Sequence, residues 1–230
     1  MKEIFENTMF CGVLLTLASY GIGLFLKQKL KAAVFNPLLI ATVISIAFVA
    51  FFKIDLKIYA DSTKIISYLL TPVTVCLAIP LYEQLEKLKS NWKAIIGGIA
   101  AGTFTSMSMM LAGCVVFNLG HTHYASMLPK SITTPIGIAL SNQYGGIAGI
   151  TVGAIVVTGI AGNVLADSVL RALHITEPVA KGIAIGTSSH ALGTTKAIQM
   201  GEVEGAMSGL SIAVAGLLTV VLASFYANLY

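Results

Sequence analysis

Apolar residues in this chain come in long blocks, neither alternating nor confined to one helical face. Crossing a hydrocarbon core takes roughly 20 apolar residues. Blocks near that length run over 8–26, 34–52, 65–82, 94–118, 147–170 and 203–229. Two more, 128–146 and 179–200, are apolar but broken up by proline, glycine and hydroxyls. Charges gather in the short connections: Lys27, Lys29 and Lys31; Lys53, Asp55, Lys57, Asp61 and Lys64; Glu83, Glu86, Lys87, Lys89 and Lys93. The pattern predicts an all-α, polytopic transmembrane bundle of about eight segments, with broken or re-entrant helices in the interrupted blocks. The first block follows Lys2, Glu3 and Glu6 and is long enough to span, so it is expected to be retained and not cleaved.

Proline and glycine punctuate the blocks. Asn36-Pro37 falls in the second, Pro72 and Pro80 in the third. A proline removes a backbone donor and crowds the preceding turn, so each is an expected kink or break. Pro135, Gly145, Gly146, Gly186 and Gly193 are expected breaks in the later half. A faint repeat is also visible. The run Leu77-Ala78-Ile79-Pro80, ahead of Trp92 and Gly97-Gly98, is answered about 112 residues later by Ala191-Leu192-Gly193-Thr194, ahead of Glu202, Gly205 and Gly209. The expected organisation is one membrane domain, 1–230, made of halves 1–120 and 121–230. Four crossings per half would make the halves parallel; an inverted repeat requires a re-entrant or extra segment.

Composition sharpens this picture. Of 230 residues, 56% are hydrophobic and 10% charged, against about 25% charged in a soluble domain. Mean hydropathy is +0.87. The net charge of +4 is spread among the connections, which fits lipid headgroups and argues against nucleic acid. With all eight segments crossing, the basic residues divide evenly and give no orientation; the tight Lys27–Lys31 cluster favours an outside N-terminus. Cys11, Cys76 and Cys114 sit in apolar stretches without metal-type spacing and are read as buried thiols. No cofactor or metal is expected. His190 has no acidic partner within a span, and there is no phosphate loop or intramembrane acidic pair, so catalysis is not expected.

Two polar stretches carry the candidate chemistry. In the first, Pro129 and Pro135 bracket Lys130, Ser131, Thr133 and Thr134, followed by Ser141-Asn142-Gln143. A helix beginning near Thr134-Pro135 presents free N–H groups and the positive end of its dipole, which suits a carboxylate or phosphate. The plainer reading is a capped interfacial loop whose lysine reaches headgroups. In the second, Gly182, Gly186 and Gly193 surround Thr187, Ser188, Ser189, His190, Thr194 and Thr195. Ionisable groups at membrane depth are costly and usually functional or internally paired. His190 is thus either a proton-coupling or anion-contacting group, or a neutral ring bonded to a nearby carbonyl. Asn36 either satisfies backbone freed at Pro37 or lines the pathway. Asp167 and Arg171 are read as an i,i+4 ion pair, His121 and His123 as loop residues, and 106–110 with Gly102 and Gly113 as small-residue packing.

The stretches Pro129-Lys130-Ser131-Ile132-Thr133-Thr134-Pro135, Gly145-Gly146 and Gly186-Thr187-Ser188-Ser189-His190-Ala191-Leu192-Gly193-Thr194 closely resemble the LrgB/CidB family of bacterial membrane proteins. Phe35-Asn36-Pro37-Leu38-Leu39 and Pro80-Leu81-Tyr82-Glu83-Gln84-Leu85 also match its patterns. Ala148 stands where the family pattern leads one to expect a proline, and Lys196 where arginine is common. The resemblance implies one of two activities in the plasma membrane. One is carriage of small carboxylates of the pyruvate, glycolate or glycerate class; the chloroplast glycolate/glycerate translocator carries a similar domain. The other is holin/antiholin-like control of murein hydrolase export and lysis with an LrgA/CidA-type partner. A homo-oligomer is expected. Residue chemistry favours the carrier, because a hole in lipid needs no buried lysine, histidine and hydroxyls. In that reading Lys130 and helix starts at Thr134 and Gly193 hold the carboxylate, with Ser131, Thr133, Ser188 and Ser189 on its other oxygen.

Overall fold

A computed structural model describes residues 10–30, 37–69, 72, 82 and 85–230, and among them all regular structure is helical. The chain divides into two compact units, Met1–Cys76 and Leu77–Tyr230. Asn36 and Pro80 lie outside the described residues, as do the neighbours of Pro72.

In the first unit α1 (Cys11–Leu30) packs against α2 (Pro37–Phe51), followed by the short α3 (Leu56–Ser62) and α4 (Lys64–Tyr68). The residues just before Pro37, with the expected kink, lie outside the described residues, and the described part of α2 begins at Pro37. Gly23 is needed there, because a Cβ on it would come within 2.7 Å of the Pro37 carbonyl oxygen. Asp55 caps α3 by accepting the Lys57 N–H at 2.7 Å.

The second unit is built from α5 (Leu85–Val116), α6 (His121–Met127), α7 (Thr134–Gln143), α8 (Ala148–Ala172), α9 (Pro178–Met200) and α10 (Glu202–Tyr226). Segments Trp92–Val116, Ala148–Ala172 and Glu202–Tyr226, with α1 from the first unit, are long and apolar enough to cross a membrane. Their outward side chains, such as Phe104, Val157, Leu165, Leu217, Val221 and Phe225, are exposed. So broad an apolar surface suits lipid and not water.

The two interrupted segments do not cross. Segment 128–146 belongs to a hairpin of α6 and α7, whose open end is closed by His121 Nε2 near the Tyr144 carbonyl at 3.2 Å and by the Ile147 N–H on Ser126 Oγ at 2.7 Å. Segment 179–200 is α9, which reverses at His190. A Cβ on Gly193 would lie 3.4 Å from the Ile185 carbonyl oxygen, although eight helical residues span about 12 Å. Contacts with α10 fix the direction. Gly182 lies on Glu204 and Gly186 on Ser208, whereas on the return arm Thr194 lies on Ser208 and Ile198 on Gly205. The first arm therefore runs with α10 and the second against it. The reversal falls at His190, between Gly186 and Gly193, so neither glycine is a break. Both sit inside helical arms and allow close approach: a Cβ on Gly186 would meet the Ser208 backbone. The two interrupted segments, expected to hold broken or re-entrant helices, thus turn back on themselves.

An order of span, cap and hairpin occurs twice in this unit. Helix α5 ends at Asn118 (φ 49), with the Leu119 N–H reaching the Cys114 carbonyl at 2.9 Å; α8 ends at His174 (φ 55), with Ile175 reaching Leu170 at 2.9 Å. Each is the same left-handed stop followed by an apolar residue. A hairpin then follows in each case. The two stretches run in opposite directions. Ile95 packs beside Val179 and Ile183 at what we call the Glu177 end, while Met107 and Cys114 pack with Tyr124 and Leu128 towards the Asn118 end. The first hairpin opens at the Asn118 end and the second at the Glu177 end.

Candidate functional site

The hairpin tips approach each other deep in the unit. The first tip is a turn ending in Thr133, which caps α7 with extended backbone (φ −67, ψ 145), and Pro135 sits in the first turn as the sequence predicted. It holds Lys130, half-buried, whose Nζ donates to Ser131 Oγ at 3.1 Å. Ser131 Oγ in turn lies 2.8 Å from Ser106 Oγ of α5. The second tip is His190 itself, with φ 42 and ψ −141. A non-glycine residue there carries strain on the order of 1–3 kcal/mol and must be held by its surroundings. The ring is 3% exposed, and its Nε2–H donates to the Ile155 carbonyl of α8 at 3.0 Å. Gly159 and Gly162 of α8 make the room: a Cβ on Gly162 would overlap Ser189, and one on Gly159 would lie 2.8 Å from the imidazole.

Two cavities flank the first arm of α9. One, of about 850 Å³, runs between α5 and that arm, with Ala94, Ile95, Glu177 and Val179 at one end and Ser106, Lys130, Ser131, Thr187 and Ser188 at the other. A second, of about 480 Å³, lies between the arm and α8, and shares Lys130 and Ser188 while adding Gly162 and Ser189. Ser188 Oγ donates to the Ala184 carbonyl at 2.7 Å and lies 3.0 Å from Ser189 Oγ. Thr187 is 5% exposed, and its hydroxyl has no hydrogen-bond partner. Among the described residues no carboxylate pairs with Lys130. An ammonium in a mostly apolar cavity, with donors to spare, attracts an anion more strongly than it would in water. The pair of tips can therefore hold a small anion. Among the described residues no cluster of ligands suits a metal ion.

Of the predicted site residues, the structure brings Lys130, Ser131 and Ser188 to one cavity and Ser189 to its neighbour. Thr133, Thr134, His190, Gly193 and Thr194 do not line either one. Thr194 instead bonds the His190 carbonyl at 2.9 Å and Ser208 Oγ at 2.7 Å, tying the second arm to α10. Two wall residues went unselected in the sequence: Ser106, read as packing, and Thr187, which stood inside the second motif. Only the spacing of Ser106 from Gly102, one helical turn, signalled that it shares a face with a packing glycine; a Cβ on Gly102 would come 2.7 Å from the Thr187 methyl.

Two further readings are corrected. Asp167 pairs with Lys196 at 2.5 Å across to the second arm, not with Arg171, whose Nε bonds the Asp167 backbone carbonyl at 3.0 Å. His121 is not a loop residue. It opens α6, with Nδ1 2.6 Å from the Tyr230 carbonyl. Helix α8 starts at Ala148 without the proline that the family pattern suggested.

Fold and site together define a helical membrane protein whose spans frame two opposed hairpins with a lysine at their meeting point. Compared with known proteins, residues 16–229 match the model of the LrgB-like family. The chain belongs to that family. It is 37% identical over 227 residues to the antiholin-like protein LrgB of Bacillus subtilis (strain 168), covering 97% of this chain and 98% of that one. The antiholin-like LrgB proteins of Bacillus cereus (strain B4264) and Bacillus anthracis (strain CDC 684 / NRRL 3495) are each 36% identical over 215 residues, covering 93% of this chain and 94% of theirs. No solved structure matches the chain.

Proposed function

We propose that this protein is an antiholin-like component of the plasma membrane, a multi-pass protein that restrains murein hydrolase export and lysis together with an LrgA/CidA-type membrane partner. The observation that carries this reading is the near full-length similarity to proteins named antiholin-like, extending through both hairpins. Removing the gene from its own host is expected to speed detergent-induced autolysis and to raise extracellular murein hydrolase activity, with both restored by the wild-type copy. Unchanged lysis and hydrolase activity in the deletion strain would refute it.

A second reading is favoured by one specific feature, Lys130, which pairs with no carboxylate among the described residues, beside Ser106, Ser131, Thr187 and Ser188 at one end of a cavity. In it the protein carries a small carboxylate of the pyruvate or glycolate class between its hairpins, with no catalytic step, and its effect on lysis follows from that traffic. Lys130 holds the carboxylate, the serines satisfy a keto or hydroxyl oxygen, and His190 keeps the second tip in shape. Proteoliposomes are expected to show saturable uptake of labelled pyruvate or glycolate that analogues compete and that Lys130→Ala abolishes. Solute-blind leakage would remove the carrier and leave the holin-like reading.

A further inference from the structure

We infer that the floor at Lys130 is open to one face of the membrane only, and that a plug of tyrosines closes the other, so that this structure is one of two access states. The inference rests on the carrier reading of the cavity.

The open side follows from which residues line the cavity. It reaches from Ala94, near the start of the membrane-length stretch Trp92–Val116, and Glu177, which precedes α9, to Ser106 and Lys130. From Ala94 to Ser106 is about 18 Å along α5, more than half of a hydrocarbon core of about 30 Å. The volume, about 850 Å³, far exceeds what a three-carbon acid fills, so the space is an approach leading to the lysine and not a fitted pocket.

Beyond the lysine the packing is of another kind. Met107, Leu128, Ile132 and Leu140 are buried together, and behind them sit Tyr124 and Tyr226. Tyr124 is 0% exposed, and its hydroxyl donates to the Tyr226 carbonyl at 2.8 Å. Ser108 Oγ lies 2.6 Å from the Tyr226 hydroxyl, and Phe104 packs edge-on to the Tyr226 ring at 5.9 Å. Tyr230 adds a third ring, 5.4 Å from Tyr124. The opposed copies of span and hairpin have similar ingredients, yet one end holds a cavity and the other a bonded aromatic cluster. A carrier with this architecture exchanges the two: the tyrosines part while the walls at Ile95 and Val179 close. Tyr124, Tyr226 and Ser108 are therefore gating residues, outside the anion-holding set.

The test uses the full chain, with Cys11, Cys76 and Cys114 replaced by alanine or serine, in sealed right-side-out and inverted vesicles. Thr176→Cys marks the Glu177 end and His123→Cys the Asn118 end. Ala101→Cys, in the cavity wall, is expected to react with a membrane-impermeant maleimide from the Thr176 side, and at least tenfold more slowly from the His123 side. Adding Tyr226→Phe, which removes the Ser108 bond, is expected to raise labelling from the His123 side severalfold; Tyr226→Ala raises it further. Equal labelling of Ala101→Cys from both faces, or faster labelling from the His123 side, overturns the one-sided cavity. Labelling that stays one-sided in both Tyr226 variants overturns the plug. Labelling needs no transport. One-sided labelling without saturable pyruvate uptake therefore sinks the carrier reading alone, and two-sided labelling with saturable uptake sinks the gate alone.

Discussion

The two hairpins solve the same problem in different ways. Each has to turn a helical chain back on itself in surroundings where unsatisfied backbone is costly. The first does so with covalent restraint. Pro129 and Pro135 fix φ on either side of the tip, and Thr133 caps α7 in ordinary extended geometry. The second turns at a single histidine in a conformation that side chains rarely adopt. Nothing local favours that turn; Ile155, Gly159 and Gly162 of α8 hold it from outside. The first tip is thus a rigid mount for the charge on Lys130. The second depends on its neighbours on α8.

That contrast can be broken most severely at Gly162. Alanine there puts a methyl where Ser189 already stands, and overpacking of this sort costs about 1–3 kcal/mol or more. Gly162→Ala is expected to lower the thermal stability of the detergent-solubilised protein sharply. Gly137→Ala in α7, whose close approach is to the flexible end of Ile155, with the Pro129 carbonyl and the Thr151 methyl at ordinary contact distance, is expected to cost less, and Gly153→Ala, with nothing within 4 Å, almost nothing. At the second tip, His190→Ala loses the bond to Ile155 and keeps the strained backbone, whereas His190→Gly loses the bond and relieves the strain. The glycine variant is expected to be the more stable by about 1 kcal/mol. At the first tip Thr133→Gly shifts stability by only a few tenths of a kcal/mol, since Thr133 makes no side-chain cap bond. The Asp167–Lys196 pair also contributes little. Its side chains are 48% and 22% exposed, so a double-mutant cycle should return no more than about 1 kcal/mol.

Much of this was legible in the chain. Apolar blocks of membrane length are found again as α1, α5, α8 and α10, because length and hydropathy fix a span before any packing is known. The start of α7 at Thr134-Pro135 could be read from capping chemistry alone. The reversal at His190 could not. Glycines mark where backbone can bend, and Gly186 and Gly193 were the natural candidates, but both are consumed in packing against α10 and the opposite arm. The strained position fell to the residue between them because a carbonyl on another helix rewards it. For the same reason Ser106 and Thr187 escaped notice: their place at the end of the cavity depends on how hairpin tips meet α5, which no local pattern encodes. The recurring order of span, cap and hairpin was hidden too, since it is carried by caps at Asn118 and His174 and by geometry.

The central claim is that the lysine at the meeting of the tips is the functional charge of this LrgB-like protein. The direct test is lysis control in the deletion strain complemented with Lys130→Met or Lys130→Arg, each matched to wild type in membrane abundance. The account predicts that Lys130→Met leaves autolysis at the deletion level while Lys130→Arg restores most of the control. Full restoration by Lys130→Met would contradict it.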